Sequence, residues 1–242
     1  MKAIAVIPAR LASTRLPRKM LRLIAGETLL ARVYNAVRQS PLLEDVIIAT
    51  DADEIMHLCR ERGWNVRMTS ASHRNGTERV HEIAQSVAAD VYVCIQGDEP
   101  LTRPEHIAAL VEIMKDNSVQ VGTLKVKAGA ADIHNPHAVK VVSDSRGRAL
   151  YFSRATIPFD RDGAGATYYK HLGFYAYRRA ALDQFVAWPE AALEQLERLE
   201  QLRFLENGVS IQVGETPFDT IGVDTEADLL RVEAIINQKS SR

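Results

Sequence analysis

The sequence contains only two cysteines, Cys59 and Cys94, among 242 residues. Both lie in apolar stretches, so we expect buried, reduced thiols and neither a disulfide nor a zinc site. No apolar run approaches the roughly 18–20 residues that a membrane helix requires. The N-terminus also lacks the apolar core of a secretory signal. These absences predict a cytoplasmic protein without membrane insertion.

An excess of charge of one sign is also missing. The chain has 30 Lys and Arg residues against 31 Asp and Glu residues, and its formal net charge is −1. A nucleic-acid-binding protein usually carries a basic excess, so we expect no nucleic-acid partner. Any anion site must therefore be local. The 13 glycines form neither a Walker loop nor a dinucleotide-binding fingerprint.

The first half of the chain alternates between short β-branched runs and helical periods. Residues 4–7, 46–50, 66–69 and 91–95 are predicted strands, with helices between them. This alternation indicates an α/β protein with a parallel sheet that helices cover on both faces. Ligands of such sheets bind beyond the carboxyl ends of the strands. Arg10, Asp51 and Asp98 follow such ends.

The second half changes character and carries signals for both strands and helices. A capping box from Thr102 to Glu105 predicts a helix start, and the Gly- and Ala-rich residues 162–166 predict a mobile loop. We further predict a hairpin over 137–144 and 149–154, strands over 171–177 and 209–213, helices over 193–205 and 225–237, and a frayed tail over 239–242.

A cationic loop directly follows the first predicted strand. Arg10, Arg15 and Lys19 lie within ten residues, beside Ala9 and Ser13. Arginine matches phosphate oxygens in pairs, whereas lysine acts as a movable point charge. A charged loop is usually just solvated, but the position after a first parallel strand favours a triphosphate site.

This loop is similar to the nucleotide-binding signature of sugar nucleotidyltransferases. Other segments narrow the resemblance, because together they resemble the 3-deoxy-manno-octulosonate cytidylyltransferase family from residue 4 to residue 230. These segments are 73–79 (His-Arg-Asn-Gly-Thr-Glu-Arg), 96–100 (Gln-Gly-Asp-Glu-Pro), 135–142, 151–158, 171–173, 199–203 and 222–225. Arg18 is a departure, since the family usually has glycine there, and the segment between Arg161 and His171 is shorter than in some relatives.

The resemblance implies a Rossmann-like nucleotidyltransferase fold with a mostly parallel central sheet and a smaller mixed lobe for sugar binding and dimerisation. The whole chain, 1–242, would form one unit. Residues 1–130 and 209–242 would form the nucleotide-binding core, and residues 131–208 the lobe. A homodimer is the expected assembly.

The implied reaction is attack by the anomeric hydroxyl of a keto-deoxy sugar acid on the α-phosphorus of CTP, with release of pyrophosphate. The product would activate the sugar for the lipopolysaccharide core. Mg²⁺ is the implied cofactor, since it needs only one or two carboxylates beside phosphate oxygens. Asp98 and Asp224 are its expected ligands, and the expected catalytic residues are Arg10, Arg15, Lys19 and Asp98.

The resemblance also assigns binding residues to each substrate. The nucleotide-binding residues would be Ala9, Arg10, Ser13, Arg15, Lys19, Arg74, Gly76, Thr77 and Asp98. The sugar-binding residues would be Gln96, Arg154, Arg161, His171, Tyr175, Glu200 and Gln201.

Purely structural roles remain open for several of these residues. Asp98 also fits a turn, Asp224 a helix cap, His171 a structural histidine and Glu200 a solvated helix face. Alternative functions are transfer to 8-amino-Kdo or sialic acid, a catalytically idle CTP-binding regulator and a metal-dependent glycosyltransferase. The triphosphate-like loop argues against the last of these, and the presence of both acidic residues argues against the regulator.

Overall fold

The strands of the protein form one large sheet and one small ribbon. A computed structural model describes residues 1–240, and Ser241 and Arg242 of the predicted tail lie outside the described residues. The strands are β1 (Ala3–Ala9), β2 (Leu23–Ile24), β3 (Glu27–Thr28), β4 (Asp45–Thr50), β5 (Val66–Met68), β6 (Val91–Cys94), β7 (Val121–Lys127), β8 (Lys140–Ser143), β9 (Ala149–Ser153), β10 (Tyr169–Tyr177) and β11 (Ile211–Glu215).

Strand β1 lies in the interior of the large sheet, whose order is β11-β7-β10-β6-β1-β4-β5. Pairing is parallel between β1 and β4, β1 and β6, β4 and β5, and β11 and β7. Strand β10 is antiparallel to both β6 and β7. The hairpin of β8 and β9 attaches to β10. The predicted mostly parallel α/β fold and the predicted hairpin are therefore confirmed.

Helices cover both faces of this sheet. They are α1 (Leu29–Arg38), α2 (Asp53–Glu61), α3 (Gly76–Ser86), α4 (Pro104–Ile113), α5 (Ala130–Ile133), α6 (Arg179–Ala187), α7 (Ala192–Glu197), α8 (Leu202–Glu206) and α9 (Glu226–Ser240), with a 3₁₀ turn at Lys19–Leu21. Every residue of β1 is buried. Ala5 and Ile7 pack with α1, α2 and α4, whereas Ile4 and Val6 pack with α3, α6 and α8. Burial on both faces explains why the strand is continuously apolar.

The two cysteines lie in these two different clusters. Cys59 packs on one face of the sheet and Cys94 on the other, and both are free and buried. Burial raises the pKa of Cys59 to about 11 and that of Cys94 well above its usual value. The prediction that both thiols are buried is confirmed.

A third, smaller apolar cluster joins the two ends of the chain. Leu16 and Ile24, on either side of Lys19, pack against Val223 and against Leu229 and Val232 of α9. Residues separated by about 200 positions are thereby held beside one another. This cluster brings the cationic loop to the C-terminal segment that carries Asp224.

The structure corrects several predicted elements. The helix predicted over 193–205 is interrupted, because Arg198 adopts a left-handed conformation with φ 55° after α7. Helix α4 begins at Pro104 with Arg103 at its N-cap, so the capping box predicted from Thr102 was wrong. Strand β7 and helix α6 were not predicted. Helix α9 continues to Ser240, so residues 239 and 240 belong to it and not to a frayed tail.

Among residues 1–240, no helix combines the length and the apolar character that crossing a membrane requires.

Candidate active site

Two neighbouring strand ends form the base of the site. Strands β1 and β6 are parallel, and the N–H of Gly97, just beyond the end of β6, donates to the carbonyl oxygen of Pro8 in β1 at 3.3 Å. A Cβ atom on Gly97 would lie 2.8 Å from that oxygen and 3.0 Å from Met20 Sδ. Only glycine fits this close approach. Asp98 is thus held at the edge where parallel sheets bind ligands.

Lys19 joins the two predicted metal ligands. Its ammonium lies 2.6 Å from Asp98 Oδ2 and 3.0 Å from Asp224 Oδ1. Arg15 lies 2.9 Å from Asp224 Oδ2. The lysine side chain is only 9% exposed, whereas that of Arg15 is 57% exposed. The cationic loop and two carboxylates far apart in sequence therefore meet at one point.

The C-terminal segment is fixed by its backbone and by a helix cap. The Val223 N–H donates to the Asp98 carbonyl oxygen at 2.9 Å. Thr225 Oγ1 accepts from the Asp228 N–H at 3.2 Å, and Asp228 Oδ2 accepts from the Thr225 N–H at 2.9 Å. This reciprocal pair begins α9. Because Thr225 supplies the cap, the carboxylate of Asp224 is directed to Lys19 and Arg15 instead.

The charges of the cluster shift one another's protonation equilibria. Burial alone would lower the pKa of Lys19, but Asp98 and Asp224 raise it above its ordinary value. Burial alone would raise the pKa of Asp224, but Lys19 and Arg15 lower it. The ammonium and the Asp224 carboxylate are therefore both charged at neutral pH. The neighbouring Glu99 differs, since burial and the charge of Asp98 raise its pKa to about 8.

The carboxylates of Asp98 and Asp224, which Lys19 bridges, form a pair of oxygen donors that suits Mg²⁺. Within residues 1–240, no group of three or more His, Cys, Asp or Glu side chains is placed to hold a metal ion. A complete protein cage is therefore absent from the described part of the chain. Mg²⁺ does not need one, because it typically combines one or two carboxylates with water and substrate phosphates. Asp98 and Asp224 fit that pattern.

A pocket of about 660 Å³ extends from this cluster toward the predicted sugar-binding segments. This volume lies within the usual range for small-molecule sites. Eight predicted site residues line it: Arg15, Gln96, Asp98, His171, Tyr175, Glu200, Gln201 and Asp224. Strand β10 supplies His171 and Tyr175, and the interruption between α7 and α8 supplies Glu200 and Gln201.

Two polar atoms at this interruption are buried without a hydrogen-bond partner. They are Glu200 Oε2 and Gln201 Nε2. Such groups cost free energy unless something satisfies them, so they are expected contacts of a polar ligand. Burial raises the pKa of Glu200 to about 7, against the lowering effect of hydrogen bonds from Thr77.

His171 is held as a neutral ring. Its Nε2 lies 2.9 Å from Thr123 Oγ1, and burial lowers its pKa to about 3. The ring also packs edge-on against Phe152. His171 therefore has both a structural contact and a place in the pocket wall, so the two roles considered for it are compatible.

The predicted nucleotide-binding loop borders the same pocket. Arg10 NH2 donates to the carbonyl oxygens of His73 and Asn75, which fixes this loop against the end of β1. A Cβ atom on Gly76 would lie 3.0 Å from Gln96 Nε2. Thr77 Oγ1 lies 3.0 Å from the hydroxyl of Tyr177. In this structure Arg10 therefore connects the loop after β1 to the loop before α3.

Other predicted site residues lie outside the pocket wall. Arg74 pairs with Glu78 and Glu190 and is 58% exposed. Ser13 Oγ accepts from the Leu16 N–H at 3.3 Å. Arg10, Lys19, Gly76 and Thr77, whose contacts are given above, also do not line the pocket. Three further residues outside the wall are Ala9, buried at the end of β1, Arg154, which binds backbone carbonyls, and Arg161, exposed on the loop before β10.

Arg154 supports the interruption between α7 and α8. Its Nε donates to the Glu197 carbonyl oxygen at 2.7 Å, and its NH1 donates to the Pro136 carbonyl oxygen at 3.0 Å. A longer contact of 3.4 Å reaches the carbonyl oxygen of Arg198. Arg154 therefore orders the segment that presents Glu200 and Gln201.

Sequence reasoning missed several residues of the pocket wall. These include Asn75, Asp132, Asn135, His137, Lys170, Arg198, Thr220 and Arg231. Asn75, Asn135 and His137 lay within segments that carried the family resemblance, which was an available signal. Lys170, which lies 2.7 Å from Asp219 Oδ1, and Arg198 enter through strand pairing and backbone conformation that the sequence pattern does not specify.

The cationic loop after the first strand of a mostly parallel sheet, facing two carboxylates, defines an α/β nucleotidyltransferase. A family model described as cytidylyltransferase matches residues 4–211. A 3-deoxy-manno-octulosonate cytidylyltransferase of Koribacter versatilis is 66% identical over 240 residues, covering 99% of this chain and 92% of the relative. The chain belongs to the 3-deoxy-manno-octulosonate cytidylyltransferase family.

Further comparisons agree with this assignment. A second relative with that name, from Acidobacterium capsulatum, is 55% identical over 240 residues, and the match covers 99% of this chain and 98% of the relative. A solved structure of CMP:2-keto-3-deoxy-manno-octonic acid synthetase complexed with CTP has a TM-score of 0.95 and 41% identity, covering 99% of this chain and all of the other. A cytidylyltransferase of Leptospira borgpetersenii, at a TM-score of 0.66 and 16% identity, covering 98% of this chain and 87% of the other, shares the fold alone.

Proposed function

We propose that this protein transfers CMP from CTP to the anomeric hydroxyl of 3-deoxy-manno-octulosonate. The hydroxyl oxygen forms a bond to the α-phosphorus, the bond from that phosphorus to the β-phosphate oxygen breaks, and pyrophosphate leaves. The activated sugar then serves lipopolysaccharide core synthesis. The names of the relatives, and the CTP complex of the similar structure, support both substrates.

One observation carries the proposal: Arg15, Lys19, Asp98 and Asp224 converge beside a pocket that also contains the predicted sugar segment. The reaction needs no covalent enzyme intermediate. It needs the nucleophile and the phosphate aligned, the phosphoryl charge stabilised and the leaving group held. Cations at the phosphate end and polar groups at the sugar end of one cavity meet these needs.

We propose Mg²⁺ as the cofactor, with Asp98 and Asp224 as its protein ligands. The ion would supply charge stabilisation at the phosphate oxygens. The protein residues supply the rest. We propose that Arg15 and Lys19 bind phosphate oxygens and that the loop over 73–77 binds the base.

The sugar acid is proposed to bind across the interruption between α7 and α8. Glu200 Oε2 and Gln201 Nε2 offer hydrogen-bonding groups that lack protein partners. Arg198 and Lys170 line the same pocket, and we propose that they contact the sugar carboxylate; Lys170 is also paired with Asp219 at 2.7 Å. His171, held neutral by burial, offers a ring nitrogen as a further polar contact.

Pyrophosphate release tests the proposal most simply. The full chain is supplied with Mg²⁺, CTP and one of three acids: Kdo, its 8-amino analogue or sialic acid. We expect fastest release with Kdo. Faster release with the 8-amino analogue or with sialic acid would reassign the substrate, and CTP binding without turnover of any acid would instead support a regulator.

We also propose a homodimer formed through the lobe of residues 131–208. Phe159 and Leu196 of this lobe are 86% and 80% exposed, which is unusual for large apolar side chains. Burying them against a second copy would remove that apolar surface from water. Light scattering on the wild type and on Leu196→Glu tests this, with a dimer expected for the first and a shift toward monomer for the second.

A further inference from the structure

Lys19 makes the same two contacts that a metal ion would need. Its ammonium touches Asp98 Oδ2 at 2.6 Å and Asp224 Oδ1 at 3.0 Å. The lysine side chain is 9% exposed, whereas the side chains of Asp98 and Asp224 are 28% and 44% exposed, so the ammonium is buried at a site whose carboxylates stay open to a ligand. One buried ammonium thereby bridges two carboxylates from distant parts of the chain.

A divalent metal ion and the Lys19 ammonium cannot both bind Asp98 and Asp224 as tightly as either would alone. Mg²⁺ requires oxygen ligands at about 2.0–2.1 Å in near-ideal octahedral geometry. Placing it there brings a second cation against the first, and the two repel strongly in a partly buried site. One of them must therefore move when the other binds.

Lysine is suited to such a movement. Its ammonium is a point charge on a flexible four-carbon stem, so it can exchange one anionic partner for another. The phosphate oxygens of a bound nucleotide are such partners. If the ammonium left the carboxylates without reaching phosphate oxygens, the lysine charge would be buried and unpaired, which would cost free energy.

We propose that Lys19 takes the place of the metal between Asp98 and Asp224 in the nucleotide-free enzyme, and moves to the triphosphate when CTP and metal bind. The inference rests on the proposed function, which supplies the triphosphate and the metal. Its consequence is that the free enzyme binds divalent metal weakly. Nucleotide and metal then load together, which keeps metal from occupying the site before CTP does.

Arg15 provides a comparison within the same cluster. Its guanidinium pairs with Asp224 at 2.9 Å, and its side chain is 57% exposed. Solvent and salt screen such a contact more than the contacts of Lys19. Lys115, which lies 2.6 Å from Glu112 on the surface, provides a control for the loss of one positive charge elsewhere.

The test is Mn²⁺ binding to the nucleotide-free protein, measured by electron paramagnetic resonance of the free ion. We expect Lys19→Met to bind Mn²⁺ at least roughly tenfold more tightly than the wild type, because the repelling charge is gone. Arg15→Met should gain less Mn²⁺ affinity, and Lys115→Met should gain none. Adding Asp224→Asn to Lys19→Met should abolish the gain.

Binding of CTP without metal gives a second readout with the opposite sign. Lys19→Met should bind CTP more weakly by calorimetry, since the ammonium is no longer available to the phosphates. A loss of both Mn²⁺ and CTP binding, equal Mn²⁺ gains for Arg15→Met and Lys19→Met, or no Mn²⁺ gain at all would overturn the inference. Wild-type pyrophosphate release is measured separately, so a failure of the proposed function appears there and not in the Mn²⁺ titration.

Discussion

The backbone N–H of Val223 donates a 2.9 Å hydrogen bond to the carbonyl oxygen of Asp98. This contact joins the end of β6 to the residue immediately before Asp224. The apolar cluster of Leu16, Ile24 and Val223 holds the cationic loop against the same place. Backbone pairing and apolar packing therefore hold Lys19, Asp98 and Asp224 close together, although these residues are far apart in the sequence.

Gly97→Ala should damage the site through packing alone. The new methyl group would lie 2.8 Å from the Pro8 carbonyl oxygen and 3.0 Å from Met20 Sδ, so backbone or side chain must shift. We expect a loss of about 1–3 kcal/mol in unfolding free energy and slower pyrophosphate release. Gly129→Ala is the control, since its methyl group meets only Asp132 Oδ2 at 3.8 Å. Equal unfolding midpoints for the two variants would contradict the packing argument.

Arg18→Gly should leave the chemistry intact and preserve or increase stability. Arg18 has φ 55°, a left-handed conformation that costs a side-chain-bearing residue about 1–2 kcal/mol. This conformation explains why a glycine suits the position. The side chain pairs with Glu54 on the surface, away from the Lys19 cluster, and an exposed pair contributes little.

We therefore expect Arg18→Gly to raise the unfolding free energy by up to about 1 kcal/mol, with the KM for CTP unchanged. Glu54→Gln removes the ion pair without changing the backbone, and it is the matched control. A clear rise in the KM for CTP in Arg18→Gly would show that the arginine acts on the phosphates after all.

Glu200→Gln should change how stability depends on pH. Burial raises the pKa of Glu200 to about 7, above its value in the unfolded chain. The folded state therefore binds the proton more tightly, and wild-type stability falls as pH rises through about 7. Glutamine does not titrate. As the pH rises from 5 to 7, the unfolding free energy of the variant should therefore increase relative to that of the wild type by about 1 kcal/mol per pH unit.

Urea unfolding at several pH values measures this difference directly. The difference between variant and wild type is informative because His171 contributes with the opposite sign at lower pH. Its pKa is lowered to about 3, so its contribution to stability is lost as pH falls below the unfolded value of about 6.5. A variant-minus-wild-type difference that stays constant from pH 5 to 8 would refute the assignment of a raised pKa to Glu200.

Arg154→Gln should weaken sugar binding by loosening the segment that Arg154 supports. The variant loses the donors to the carbonyl oxygens of Glu197 and Pro136. We expect the KM for the sugar to rise by roughly tenfold, which corresponds to a loss of about 1.4 kcal/mol in binding free energy. The KM for CTP should stay nearly constant. Arg161→Gln, on the exposed loop, should change the KM for either substrate less. The reverse ranking of the two variants would assign direct sugar binding to Arg161.

Much of the nucleotide half could be predicted from local patterns. Strands β1, β4, β5 and β6 are short β-branched runs, and their order along the chain gives parallel pairing. The Asp98 and Asp224 positions followed from the family resemblance, and their convergence is seen only once the chain folds. Strand β10, by contrast, lies antiparallel between β6 and β7, a pairing across long stretches of sequence that no local pattern specifies.

The interruption at Arg198 shows why the conformation of residues 193–205 was harder to predict. Residues 193–205 have apolar side chains at helical spacing, so periodicity predicts one continuous helix. At the observed break the carbonyl oxygens of Glu197 and Arg198 accept hydrogen bonds from the guanidinium of Arg154, more than 40 residues earlier. Tertiary hydrogen bonds outweigh the local helical preference there, and the break is what places Glu200 and Gln201 in the pocket.

The most direct test of the central claim, that Asp98 and Asp224 act together on one triphosphate, is a double-mutant cycle on pyrophosphate release. Each of Asp98→Asn and Asp224→Asn should lower kcat by roughly 10²–10³-fold. Because residues that act as a unit are not additive, the double variant should be about as slow as the slower single variant. Losses that multiply, or a single variant with wild-type rate, would contradict the account.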